Sequence, residues 1–345
     1  MAELRQNTWE LDQWYAQDVA GDVAYDAIDP GKLFAWGNQQ SPSTRNGALG
    51  LNDNTSRSSP TQVGTNTTWK SVCTGGGTRA TKTDGTLWFW GYGANGQSGL
   101  NQNETADSAL SSPTQIGTAT DWDRVFTGGG GHTGCFKTDG TLYMWGNNTK
   151  GQCGNNTVAR LSSPTQLPGT WTSTLCSSSY AVTYCARSDG KLWSWGDNEY
   201  GELGHNDTVM RSSPVQIASN VTTWKSITTG SAATLASKTD GTMYGWGQNT
   251  NGKCMLNTGD KFSSPTQVGT DSNWAYVNSG GDWSMASKTD GTIWMAGIQE
   301  FGQLGNNVGG TTQNLSSPIQ LPGTDWIVRN CFGGGGLTPK AKKSA

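Results

Sequence analysis

A repeat of about fifty residues constrains what this chain of 345 residues can fold into more than any other feature. Aligned on the tripeptide Ser-Ser-Pro, the prolines fall at Pro60, Pro113, Pro164, Pro214, Pro265 and Pro318, in steps of 53, 51, 50, 51 and 53 residues. Aligned on Trp-Gly, the tryptophans are Trp36, Trp90, Trp145, Trp195 and Trp246, with Ala296-Gly297 in sixth place. A third series opens each unit: Trp69, Trp122, Trp171, Trp224, Trp274 and Trp326. These two series take eleven of the 17 tryptophans, so the aromatic content is architectural. Self-similarity at such a period marks an array in which each unit buries its apolar face on its neighbours.

Each unit reads as a Trp-led strand, a Gly or Ser run, a second strand, Asp-Gly, a third strand ending in Trp-Gly, a long polar loop, then Ser-Ser-Pro. Asp-Gly between β-prone runs is a strong hairpin signal, and a two-residue type I′ turn is the expectation, with positive φ at both positions. Asp84, Asp139, Asp189, Asp240 and Asp290 are therefore read as turn formers rather than as catalytic carboxylates. In the third strand Leu87, Leu142, Leu192, Met243 and Ile293 share one face, and the residue after each is aromatic. Alternation puts the two series on opposite faces, one within the sheet and one against a neighbour, as radially stacked blades require. Glycine runs such as Gly75-Gly76-Gly77 belong where inner strands crowd an axis; no helix or Lys-Ser/Thr follows them to make a phosphate cradle.

Composition agrees with an all-β chain. Charged residues are 14%, against about 25% in ordinary globular domains. The polar surface then falls to Asn, Gln, Ser and Thr, which suit turns and strand faces. Net charge is −3 and no basic stripe precedes the last few lysines, which argues against nucleic-acid binding. No apolar run reaches the length of a membrane span, and residues 1–6 lack a signal-peptide layout, so no membrane insertion or general secretory route is expected. The seven cysteines form no C-x-x-C pair. Cys153 and Cys254 stand where other units carry Leu49, Leu203 and Leu304, so the cysteines read as small buried hydrophobes rather than a disulfide framework or metal site.

The two ends are complementary. Gly31-Lys32-Leu33-Phe34-Ala35-Trp36-Gly37 matches a third strand and runs on to Pro60, while Trp326 to Cys331 and Gly333 to Gly336 match a first strand and its glycine run. Joined, they make one more blade, with residues 337–340 as a short second strand, and such sharing removes free sheet edges. The expected fold is all-β: a single closed β-propeller of about six ~51-residue blades over 31–345, its last blade shared between the two ends, preceded by a strap or anchor over 1–30.

The Trp-Gly pairs, Gly201-Glu202-Leu203-Gly204, Gly302-Gln303-Leu304-Gly305 and a Pro-x-x-[Val/Ile/Leu] near each unit's end resemble the regulator-of-chromosome-condensation family of propellers over about 31–340. Members of that family usually have seven blades, so six is a departure. The resemblance implies a propeller whose roles range over nucleotide exchange on a small GTPase, ultraviolet perception and β-lactamase inhibition. The exchange factor's basic arm and wedge, and the photoreceptor's Gly-Trp-Arg-His-Thr repeats, have no counterpart here, so no residue of either activity carries over. Residues 7–15 put Trp9, Trp14 and Tyr15 within seven positions, ahead of an acidic stretch to Asp29. This leader resembles those of propeller proteins from marine bacteriophages. It reads either as a strap on the propeller's side or as an anchor docking on a partner through those three aromatics.

Little points to chemistry. His132 and His205, the only histidines, lie in different units and read as isolated surface residues. Asn-rich loops such as 52–54 and 206–207 lack the alternating acids of a calcium loop, and Asx-turns account for them. Arg57, Arg160, Arg211 and Lys261, each just before Ser-Pro or Ser-Ser-Pro, form a ring that suits an acidic partner or simple solvation. An enzyme would gather His, Asp or Glu from one unit at one rim, and the sequence marks no such unit. No catalytic residue, cofactor or metal is expected. The functional expectation is a virion structural, decoration or attachment protein of a bacteriophage, docked through residues 1–30 onto other virion or scaffold proteins or a host surface component. The alternatives are a cytoplasmic protein–protein interaction scaffold, regulatory or inhibitor-like, and last an enzyme or carbohydrate binder.

Overall fold

The computed structural model describes residues 31–38, 47–102, 109–217, 221–308, 314–324, 326–327 and 342–343. A two-stranded sheet comes first, β1 (Phe34–Gly37) with β2 (Arg57–Gln62). The first complete blade follows: β3 (Trp69–Gly75), β4 (Gly77–Lys82), β5 (Leu87–Gly91) and β6 (Leu110–Gln115), antiparallel and in sequence order. We call this blade I. Blades II to V repeat it over 122–167, 171–216, 224–267 and 274–320, so five four-stranded sheets are described. Trp326–Ile327 pairs with Lys342–Lys343 in a second two-stranded sheet.

The Asp-Gly turn differs from the expected type I′. Gly85 N donates to Lys82 O at 3.0 Å and Lys82 N to Thr86 O at 3.0 Å, which encloses Thr83-Asp84-Gly85 in a three-residue loop. Gly85 has φ +76°, whereas none of the five aspartates has positive φ. This is a type I turn closed by a left-handed glycine, a bulged hairpin in which only the glycine needs positive φ. The aspartate caps it from the side: Asp84 Oδ1 accepts from Thr86 N at 3.0 Å and Thr86 Oγ1 at 2.6 Å.

Ser-Ser-Pro serves the outer strand. Between Phe89↔Thr114 and Gly91↔Leu110 the register slips, so Ser111-Ser112-Pro113 bulges out where proline's missing N–H costs no ladder bond. The slip frees a serine carbonyl for the preceding unit. Asn52, Asn101, Asn156, Asn206 and Asn257, all at φ between +56° and +62°, donate their N–H at 2.7–2.9 Å to Ser111, Ser162, Ser212, Ser263 and Ser316 O. The asparagines thus tie unit to unit, a role the local Asx-turn reading did not include.

Alternation holds as expected. Leu87, Leu142, Leu192, Met243 and Ile293 are fully buried. Leu87 packs with Trp122, Val125, Cys135 and Trp145 of blade II. The following aromatic stays on its own sheet in a stack with the opening Trp and a cation from the second strand. Lys82 Nζ lies 4.8 Å from the Trp69 ring and 3.8 Å from Trp88, and Lys137, Arg187, Lys238 and Lys288 repeat the arrangement. Cys135, Cys153 and Cys254 are buried as small hydrophobes. Cys176 and Cys185 correct that reading: facing each other across two strands, with Cα atoms 4.2 Å apart, they form a disulfide.

Both end segments occupy blade positions. Trp122 N donates to Gly85 O at 2.9 Å; Trp69 N donates in the same way to Gly31 O at 3.3 Å, and Trp326 N to Gly291 O at 3.0 Å. Thus 31–37 acts as the third strand of a unit before blade I, and Trp326 opens a unit after blade V. No pairing between the two partial sheets is present among the described residues. Trp36 is 61% exposed, while Trp90, Trp145, Trp195 and Trp246 are 0–1% exposed.

Candidate functional site: the rim around Tyr180

Thr74, Thr127, Ser178, Thr229 and Ser279, one from each first strand, line a single central cavity of roughly 420 Å³. Their convergence puts the five first strands around one axis, as in a propeller. A hydroxyl recurs at this level in every blade and serves the ring: Thr127 Oγ1 donates to Thr74 O at 3.2 Å, and Thr228 Oγ1 meets Ser279 Oγ at 2.9 Å. What recurs in every unit is architecture; what breaks the repeat locates a function.

Blade III breaks it at the same end of the axis. Its turn between first and second strands carries Tyr180, 72% exposed, where blades IV and V have Ser231 and Gly281. Tyr180 lines the central cavity and two clefts beside it, of about 350 and about 310 Å³. The larger, between blades III and IV, also gathers Asp197, Glu199, Tyr200 and Glu202. This corrects the expectation that no unit collects acidic residues at one rim. The three acids lie within one six-residue stretch visible in the sequence; that the Tyr180 turn and Ser231, Ala232 and Gln248 meet them is what spacing alone does not reveal.

The loop holding these residues is scaffolded from below. Asn198, fully buried, accepts from Leu203 N at 2.9 Å and donates to Asp207 O and Val209 O; Asn148 does the same in blade II. Glu202 O accepts from Trp246 Nε1 at 2.9 Å and from Tyr184 Oη, so blade IV's tryptophan clamps the loop. Glu202 Oε2 accepts from Tyr200 N at 2.7 Å. Burial, with Asp197 and Glu199 adding like charge, raises the Glu202 carboxyl above the usual range. Asp197 meets Lys150 Nζ at 3.1 Å and raises the lysine in turn. Where blade III has Glu202, blade IV has Lys253, 3% exposed, which donates to Ser231 O at 2.7 Å and pairs with Asp282 at 3.1 Å. Its charge is consumed inside the ring.

Of the two histidines expected at the surface, one is sealed and the other partly exposed. His132 is fully buried, its Nε2 2.9 Å from Thr183 Oγ1, and burial lowers it to about 3, so it is neutral near pH 7. His205 is half-buried, 2.9 Å from Ser194 Oγ. Arg79, fully buried, donates to Gly75, Gly77 and Gln97 O and is lowered by burial to about 10. The basic ring is engaged within the chain: Arg57 pairs with Asp53, Arg211 with Asp207, and Lys261 lies over Tyr200. Among the described residues no group of three or more His, Cys, Asp or Glu is placed to hold a metal, and no helix is long and apolar enough to cross a membrane. Trp9, Trp14 and Tyr15 lie outside the described residues.

Residues 139–183, 189–237 and 240–287 match the family model of the regulator of chromosome condensation (RCC1) repeat, and a second model of that repeat matches 224–253. Among solved structures, human WBSCR16 is similar with a TM-score of 0.68 and 18% identity, over 88% of this chain and 79% of that one. Yeast RCC1 (Prp20), solved bound to Kap60, is similar with a TM-score of 0.66 and 16% identity, over 86% of this chain and 73% of that one. At such identities the likeness is one of fold. Residues 139–287 carry RCC1 repeats, and the chain as described shares the β-propeller fold of these proteins.

Proposed function

We propose that this propeller is a non-catalytic protein-binding module that engages a protein partner with the rim around Tyr180. The observation that carries the reading is the exposed tyrosine at the meeting point of three cavities, present in one unit and not its siblings. Exposed aromatics set among polar residues are the usual anchors of interfaces, and a partner buries them at little cost in side-chain entropy. That yeast RCC1 was solved with Kap60 supports a protein ligand for this fold. In cross-linking of the native chain in its source material, partner cross-links should map to this rim. Tyr180→Ala should weaken capture of the same partner roughly tenfold or more; unchanged capture would refute the rim as the contact.

The setting we propose is a bacteriophage virion, with residues 1–30 as the anchor and 31–345 as the propeller; the alternative is a cytoplasmic scaffold. The support is the aromatic leader, Trp9, Trp14 and Tyr15, which stands apart from the repeat. Mass spectrometry of gradient-purified particles should find the chain at fixed copy number. Recovery only from soluble lysate would leave the scaffold reading. We propose further that the two partial sheets join into a sixth blade, which would bring Trp36 against Gly305 as its siblings meet theirs.

A further inference from the structure

We propose that the rim around Tyr180 receives a lysine- or arginine-bearing segment of the protein partner, its cation held against Glu202 and Glu199 beside the Tyr180 ring. This rests on the protein-binding reading above and names the chemistry of the partner.

The repeat supplies the control. Gln152 Oε1 accepts from Lys150 N at 2.8 Å, and Gln303 Oε1 from Phe301 N at 2.8 Å. Glu202 makes the same bond to Tyr200 N at 2.7 Å. A neutral amide therefore does the structural work, and the charge of Glu202 is surplus to it. Glu202 is 3% exposed, and a buried carboxylate is costly unless a cation answers it. Its charged neighbours in the cleft are Asp197 and Glu199, which repel it; Lys150, paired with Asp197 at 3.1 Å, is the nearby cation and is shared among all three acids. Burial first and this company second raise the carboxyl, and an entering cation would act in the opposite direction.

Gln97 gives an independent sign. It lines the adjoining cleft, which also contains Tyr180, and is 6% exposed. Unlike Gln152 and Gln303 it leaves Oε1 buried without a partner. Gly76 and Gly131 hold its amide in place: a Cβ on either would come within 2.7 and 2.5 Å of it. The clefts flanking Tyr180 thus present complementary features for one basic segment, a surplus carboxylate charge in one and an acceptor without a donor in the other. A segment rich in N–H donors answers both, with one cation in the acidic cleft and a neighbouring donor on Gln97. The tyrosines add cation–π attraction. Lys261 already lies 4.5 Å from the Tyr200 ring, whereas no cation stacks on Tyr180 among the described residues.

The test is fluorescence anisotropy on the full chain with a labelled Gly/Ser peptide carrying lysine and arginine, beside versions with glutamine or glutamate in their place. The basic peptide should bind, and more weakly as salt rises. Glu202→Gln, which keeps the loop bond as Gln152 does, and Tyr180→Ser, the residue of blade IV, should each weaken it about tenfold. Glu300→Gln removes the same charge from an exposed site of the blade V loop and should leave binding within about twofold. Equal binding of the neutral or acidic peptide, equal effects of Glu202→Gln and Glu300→Gln, or no binding of the basic peptide would overturn the proposal. Loss of partner capture in Tyr180→Ala would then leave the protein-binding reading standing without its basic ligand; retained capture would remove both.

Discussion

At the scale of single residues, the chain shows which parts of its repeat are obligatory by where it departs from them. Gly50, Gly99, Gly154 and Gly204 have positive φ, and a Cβ on each would lie 2.7–3.0 Å from the indole nitrogen of the next unit's Trp90, Trp145, Trp195 or Trp246. Where that tryptophan becomes Ala296, the glycine becomes Met255, which keeps φ +62° and is 1% exposed in one cluster with Ala296. The methionine occupies space the indole leaves empty, so the two positions are coupled through packing. Met255→Gly alone should cost about 2–4 kcal/mol through its cavity, and Ala296→Trp alone should cost at least as much through overpacking. The double variant should fall short of the sum by ~1 kcal/mol or more in a urea-denaturation cycle. Additive losses would show that the positions do not share that space.

At the scale of elements, the Asp-Gly hairpin was legible as a turn, but its type was not. The deciding bond, Lys82 N to Thr86 O, sets the loop at three residues, and composition does not distinguish that from two. The recurring Lys or Arg two positions before each aspartate was also visible, as Lys82, Lys137, Arg187, Lys238 and Lys288. Its meaning was not, because the aromatic partners come from two other strands. Asp240→Ala should lower stability by ~0.5–1 kcal/mol, since Asp240 Oδ1 takes both Thr242 N and Thr242 Oγ1. Asp189→Ala should cost less, because Lys191 offers Asp189 Oδ1 its N–H and, in place of a hydroxyl, only a solvent-screened ammonium 3.3 Å from Oδ2. Equal losses in thermal unfolding would show that the hydroxyl bond contributes nothing.

At the scale of the whole molecule, stability depends on acid and on closure. His132 is held near 3 in the fold and titrates near 6.5 when unfolded. Above 6.5 both states are neutral at this residue and nothing is lost. As pH falls from 6.5 toward 3 the unfolded chain takes up a proton that the folded chain refuses, and stability declines toward ~1.4 kcal/mol per pH unit. Between pH 6.5 and 5 ordinary carboxylates contribute little, so His132→Gln should flatten the slope there; a slope unchanged in the variant would assign it elsewhere. Closure of a sixth blade would protect Trp36 as its siblings are protected. Trp36→Ala should then cost about 3–5 kcal/mol, as for a core tryptophan; a cost under about 1 kcal/mol would mean an uncovered edge.

What the sequence determined by itself was the repeat and its local signals: strand alternation, the place of the Asp-Gly turns, the series of tryptophans and the cysteines that stand in for leucine. Repetition makes such features readable because each unit meets the same local conditions, and their joint constraint leaves radially stacked sheets as the consistent solution. What only tertiary structure decided were pairings set by strand register or by the meeting of separate loops. Cys176 meets Cys185 because two strands align at that register, and His132 is sealed by Thr183 of the next blade. Tyr180 and Glu202 share a cleft because one turn and one loop reach the same end of the axis. Spacing along the chain carries no record of which loops meet at a rim, since that depends on how successive sheets rotate about a common centre.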